Sequence, residues 1–94
     1  MTTALYPGAF DPVTMGHVDI TTRASRIFDR VVVGVYDTPS KDLLFTTLER
    51  VDLFTRAVQH LANVEVISYK GLTVSFAKAR GAHAVVRAQE LRLI

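Results

Sequence analysis

The chain has 94 residues, 49% of them hydrophobic and 21% charged, with eleven Lys and Arg against nine Asp and Glu and a formal net charge of +2. This composition excludes a disordered or fibrous protein, the scattered charges leave no basic patch for nucleic acid, and the lack of cysteine excludes a disulfide framework, a thiolate metal site and a cysteine nucleophile. No stretch approaches the roughly 18 apolar residues of a membrane span and no leader-like segment opens the chain, so a single cytoplasmic domain over residues 1–94 is expected, with no membrane and no nucleic acid among its partners.

Ala4-Leu5-Tyr6 is a short apolar run ended by Pro7-Gly8, which predicts a first buried strand. Ile20, Ala24, Ile27 and Phe28 fall on one face of a helix that opens near Gly16 and His17. Residues 31–35 are apolar and rich in β-branched side chains, the pattern of a second buried strand. Thr46 and Glu49 then fit a capping box, and Val51, Phe54, Ala57, Val58 and Leu61 give the following helix an apolar face. Residues 64–67 predict a third buried strand, residues 74–80 a short helix ended by Gly81 as a left-handed cap, and residues 82–86 a fourth strand.

The order β-α-β-α-β-α-β, with strands apolar on both faces, implies an α/β fold: a Rossmann-like parallel sheet covered by helices and joined by right-handed crossovers. Such open sheets take ligands beyond the carboxyl ends of their strands, here after Tyr6, Tyr36, Tyr69 and Arg87.

The richest of these segments runs from Tyr6 to His17, Tyr-Pro-Gly-Ala-Phe-Asp-Pro-Val-Thr-Met-Gly-His. Gly8 lets backbone approach a ligand closely and Pro12 stiffens the loop. Gly16 and His17 stand where free N–H groups and the positive end of a helix dipole attract anions. An imidazole there can donate to a phosphate oxygen, with charge assistance if it is protonated. Asp11 reads as a loop organiser, and His60 and His83 as structural residues.

Thr14-Met15-Gly16-His17, preceded by Tyr-Pro-Gly-x-Phe-Asp-Pro, resembles the T/HxGH signature of the nucleotidyltransferase superfamily, and the threonine in its first slot resembles the phosphopantetheine adenylyltransferases. Further strings resemble that family in the same order. They are Thr38-Pro39-Ser40-Lys41, Phe45 with Glu49-Arg50, residues 61–66, Gly71-Leu72-Thr73 with Phe76-Ala77, and Arg87. The resemblance implies adenylyl transfer from ATP to 4′-phosphopantetheine, giving dephospho-coenzyme A and pyrophosphate, in a homo-oligomer. It implies nucleotide binding by Gly8, Ala9, Phe10, Gly16 and His17, substrate binding by Ala9, Lys41, Thr73 and Arg87, and catalysis by His17 and Lys41. Mg2+ would accompany ATP, since no carboxylate cluster suggests an independent site.

Two departures qualify this. Ala9 stands where the family usually carries Thr or Ser, and loss of a hydrogen bond to a charged group costs roughly 1.5 to 3 kcal/mol. After Arg87 the chain reads Ala-Gln-Glu-Leu-Arg-Leu-Ile, where the family reads R-G-L-R and continues. A fold truncated after about the fourth strand is therefore expected, with an unpaired edge that invites association. Two other readings stay open: another HxGH-type nucleotidyltransferase, or a nucleotide-binding or self-associating fragment without turnover.

Overall fold

The computed structural model describes residues 1–37 and 42–87, and the backbone alone of residues 90–93. Lys41, with Thr38, Pro39 and Ser40, lies outside the described residues. The elements follow the order β1 (Thr3–Gly8), α1 (Met15–Ile27), β2 (Arg30–Tyr36), α2 (Thr47–Ala57), β3 (Val64–Tyr69), α3 (Thr73–Ala79), β4 (Ala84–Arg87) and β5 (Glu90–Leu93).

These strands form one sheet in the order β3-β2-β1-β4-β5. The first four run parallel and β5 is antiparallel to β4. The expected Rossmann-like arrangement is present, and it carries a strand that the reading above lacks. Glu90-Leu91-Arg92-Leu93 alternates polar and apolar residues, and the pairing of Arg87 with Glu90 leaves a two-residue connection, the commonest hairpin length. The edge of β4 is thereby paired.

Right-handed crossovers decide the layers. The steps from β1 to β2 and from β2 to β3 run the same way across the sheet and put α1 and α2 on one face, whereas the return from β3 to β4 puts α3 on the other. The first face holds the larger core, in which Ala4, Tyr6, Val31, Val33 and Val35 pack with Ala24 of α1 and Phe54 of α2. The second is smaller, with Leu5 and Val32 against Ala77 of α3. Phe54 is wholly buried, and its truncation to alanine would cost about 3–5 kcal/mol.

Local signals account for the helix ends. Thr46 Oγ1 accepts from Glu49 N–H at 3.2 Å and Glu49 Oε1 accepts from Thr46 N–H at 3.0 Å, so the capping box opens α2. Gly81 takes φ +69° just past α3. The residue after α1, Phe28, is extended, and its carbonyl and that of Ser25 accept from the Asn63 side-chain amide at 3.2 and 2.8 Å.

One strand differs in character from the reading of its sequence. Residues 64–67 suggest burial on both faces, yet β3 is an edge strand and only its last residue, Tyr69, is buried. Glu65 sits there in an ion pair with Arg30 and Arg80, and hydrogen bonding from Arg30 holds its carboxyl below the usual value.

Candidate functional site

The strands that bound the central crevice part at Pro7. In β1 the odd-numbered residues turn their backbone groups toward β4. Thr3 N–H donates to His83 Nδ1 at 3.2 Å and Thr3 O accepts from His83 N–H at 2.7 Å. On the opposite side Thr2 O accepts from Arg30 N–H at 3.1 Å. Pro7 belongs to the β4-facing set and has no N–H to give. Pairing between β1 and β4 runs through Ala4–Ala84 and Leu5–Val85 and stops before it, while pairing with β2 continues to Gly8–Val35. Because the sheet order reverses between β1 and β4, this opening is the switch point at which such sheets take ligands.

A cavity of about 330 Å³ lies here, lined by Gly8, Ala9, Tyr36, Tyr69, Thr73 and Arg87 among others. Four residues expected at the site, Gly8, Ala9, Thr73 and Arg87, therefore line one cavity. Thr73 Oγ1 is hydrogen-bonded to Tyr69 Oη at 2.9 Å, and the Tyr69 ring stacks on Phe76 at 4.4 Å. Arg87 is exposed, with no hydrogen-bond or ion-pair partner among the described residues.

His17 does not line this cavity. It stands on the α1 side of the same strand end, and the Gly8–Phe10 segment is the partition between the two. The α1 N-terminus has no acidic side chain in its first turn, so its positive end faces outward uncompensated. Gly16 is exposed there, and a Cβ on it would meet only Thr14 Oγ1, at 3.6 Å. The glycine leaves room outside the helix.

The imidazole has a fixed role in the cap. Thr14 N–H donates to His17 Nδ1 at 2.9 Å, and His17 N–H donates to Thr14 Oγ1 at 3.3 Å. This is a capping box in which His replaces the customary Glu or Gln. Since Nδ1 accepts a backbone proton, the neutral ring carries its own proton on Nε2. Desolvation pulls the His17 pKa below its ordinary value. In the neutral ring, the hydrogen that can reach a phosphate oxygen is therefore the one on Nε2.

Beneath the imidazole lies Phe10, edge-on at 4.9 Å between centroids. Phe10 also packs against Tyr6 at 5.1 Å and Phe54 at 4.8 Å, and it is 5% exposed. Its ring is core, so what Phe10 can offer a nucleotide is its backbone. That backbone is left-handed, at φ +51°, a conformation that costs a non-glycine residue roughly 1–3 kcal/mol unless its surroundings impose it. The close approach also explains Gly8, on which a Cβ would lie 2.9 Å from Phe10 Cζ.

Two residues that hold this loop were not singled out as site residues from sequence. Arg50 is 1% exposed. Its guanidinium donates to Ala9 O at 2.8 Å, Tyr36 O at 3.0 Å, Phe45 O at 3.2 Å and Thr47 Oγ1 at 2.9 Å. Asp11, expected to bond locally, instead reaches across, accepting from Leu44 N–H at 2.6 Å and Phe45 N–H at 2.8 Å. The F-x-x-x-E-R string contained Arg50, and its place four residues before Phe54 was the signal that it points inward.

Comparison with known proteins adds to this geometry. The profile of a family described as cytidylyltransferase-like matches residues 5–92. Over 87 residues the chain is 54% identical to a phosphopantetheine adenylyltransferase of Roseiflexus sp. strain RS-1, and 55% identical to one of Chloroflexus aurantiacus. Each match covers 93% of this chain and 54% of the relative, so the chain spans about half the length of these curated relatives. Among solved structures, a lipopolysaccharide core biosynthesis protein from Thermoplasma volcanium GSS1 matches with a TM-score of 0.69 at 18% identity, over 90% of this chain and 72% of that one. That likeness concerns the fold alone.

Proposed function

The chain belongs to the cytidylyltransferase-like family, and from that premise we propose that it serves adenylyl transfer from ATP to 4′-phosphopantetheine. The observation that carries the proposal is the imidazole of His17, its Nδ1 taken up by the cap so that Nε2 is left for a ligand, at an uncompensated helix tip beside the switch-point crevice. The names of the relatives that are about half identical to this chain support the choice of substrates.

In this reading the triphosphate lies over the α1 N-terminus, and the phosphopantetheine phosphate enters the cavity lined by Thr73 and Arg87. A phosphate oxygen of the acceptor attacks the α-phosphorus of ATP, the bond from that phosphorus to the bridging oxygen breaks, and pyrophosphate leaves with the electron pair. The nucleophile is already an anion, so no general base is required. Catalysis rests on alignment and on donors aimed at the oxygens that gain charge. His17 Nε2–H is such a donor. The Gly8–Ala9 backbone forms the partition along which the two substrates meet. Lys41 is assigned to the phosphates by resemblance.

Magnesium enters this proposal as the companion of ATP. Among the described residues no group of three or more His, Cys, Asp or Glu is placed to hold a metal ion, and no step here is routed through one. Likewise among them, no helix is long and apolar enough to cross a membrane. Homo-oligomer formation in a cytoplasmic setting is part of the proposal, supported by the exposed Leu44 and Leu48.

The test is pyrophosphate release from ATP in the presence and absence of 4′-phosphopantetheine. Release that requires the acceptor and disappears in His17→Ala supports the proposal. ATP binding without release would favour a nucleotide-binding role without turnover, and release with nicotinate mononucleotide or with CTP would favour another transferase of the same family.

A further inference from the structure

Among the described residues, the partners of the buried Arg50 cation are three carbonyl oxygens and one hydroxyl, with no carboxylate. Removing a guanidinium from water is costly unless its donors are satisfied, and here they are satisfied by groups from three places. Ala9 O comes from the loop after β1, Tyr36 O from the end of β2, and Phe45 O and Thr47 Oγ1 from the start of α2. Thr47 Oγ1 in turn donates to Asp37 Oδ1 at 2.8 Å, and Asp37 pairs with Lys70 at 3.6 Å. The planar fork of Arg suits this convergence, and a lysine ammonium on a single stem does not.

The bond to Ala9 O has a specific consequence. That carbonyl belongs to the peptide plane joining Ala9 to Phe10, and the tilt of this plane is coupled to Phe10 φ, which is held at +51°. Phe10 in turn places its ring edge-on against His17. Left-handed backbone at a non-glycine residue persists only where its neighbours over-determine it. Here they are Arg50 on the carbonyl before Phe10, and Asp11 anchored to Leu44 and Phe45 just after it.

We infer that Arg50 is a positioning residue for His17, acting through the Ala9–Phe10 peptide plane and the Phe10 ring rather than by touching a substrate. The claim about the imidazole stands on geometry alone, and its catalytic consequence rests on the proposed function.

The two parts have separate tests, both on the full chain. The first follows the ring nitrogens and ring protons of His17 by NMR in wild type, Arg50→Met and Arg50→Lys. In wild type they should report the Nε2–H form with ring protons shifted by Phe10. In Arg50→Met, once the amide spectrum shows a folded sheet, the Phe10-dependent shift should shrink and the Nδ1 bond to Thr14 should loosen; Arg50→Lys should fall between. A folded Arg50→Met with unchanged His17 signals overturns the inference. If Arg50→Met does not fold, Thr47→Val, which removes one of the four acceptors of Arg50 together with the Thr47–Asp37 bond, decides: a smaller change of the same sign supports it, and unchanged signals overturn it. The second test is kinetic, with an expected fall in kcat of about 10- to 100-fold in folded Arg50→Met and little change in ATP affinity. An altered His17 signal with no turnover even in wild type would sink the proposed reaction and leave the positioning role standing.

Discussion

His17 Nδ1 accepts the backbone N–H of Thr14 at 2.9 Å, while the backbone N–H of His17 donates to the Thr14 hydroxyl at 3.3 Å. One pair of residues thus caps α1 and fixes which ring nitrogen faces outward. Fold and chemistry are joined in a single reciprocal contact.

The first prediction concerns the protonation of that ring. Its pKa is lowered by desolvation, so the native state resists a proton that the unfolded chain accepts near the ordinary value of about 6.5. The contribution of His17 to stability is therefore full above that value and declines as pH falls through it toward the lowered native value. A ¹⁵N-detected titration should show the Nε2–H tautomer at pH 7.5 and a midpoint below that of free histidine. A dominant Nδ1–H signal would contradict the cap geometry.

A second prediction separates the cap from the phosphate contact. Glutamate is the usual residue at this position of a capping box, so His17→Glu should keep the melting temperature while its negative charge repels a triphosphate. Calorimetry should find ATP binding abolished in a protein that melts like wild type. His17→Ala should lose the bond from Thr14 N–H while the Thr14 hydroxyl keeps the backbone N–H of residue 17, at about 1 kcal/mol, together with roughly 100- to 1000-fold in turnover.

Ala9 offers a gain of function. It is exposed at the partition, and Ala9→Thr adds a hydroxyl there without crowding the core. Phosphate binding should tighten by about tenfold, equivalent to about 1.4 kcal/mol. Isothermal titration with ATP and with phosphopantetheine measures it, and equal affinities in both variants would remove Ala9 from the binding surface.

Gly8→Ala tests the partition from within. The added Cβ would lie 2.9 Å from Phe10 Cζ, so the ring must move or the strand end must shift. Overpacking of this kind costs about 1–3 kcal/mol. Thermal unfolding should record that loss, and the His17 ring signals should change with it.

Arg87→Ala should behave oppositely. The side chain is exposed and unpaired among the described residues, so stability should change by no more than about 0.5 kcal/mol. Affinity for phosphopantetheine should fall markedly and that for ATP little, as competitive titrations would show.

The sequence made the layers legible because the signals for them are local. Val31, Val32 and Val33 mark a buried strand by composition alone, and Thr46 with Glu49 marks a helix start within four residues. Gly16 and His17 were legible as a helix tip for the same reason. What escaped depends on distant partners. The inward position of Arg50 is visible from its spacing to Phe54, but its four acceptors come from three places far apart in the chain. The edge position of β3 follows from strand order, which an apolar run does not encode. In β5 the polar-apolar alternation of residues 90–93 was present in the sequence, and four residues are too few to separate an edge strand from a tail. The tautomer of His17 follows only once the Thr14 backbone is seen to point at Nδ1.

Pro7 gives the crevice its width by omission. An amide hydrogen at this position would face β4 and invite the sheet to zip further toward its ligand-bearing rim, narrowing the mouth into which, in the proposed reaction, two phosphorylated molecules would fit side by side. The doorway stands open because one residue has nothing to offer its neighbour.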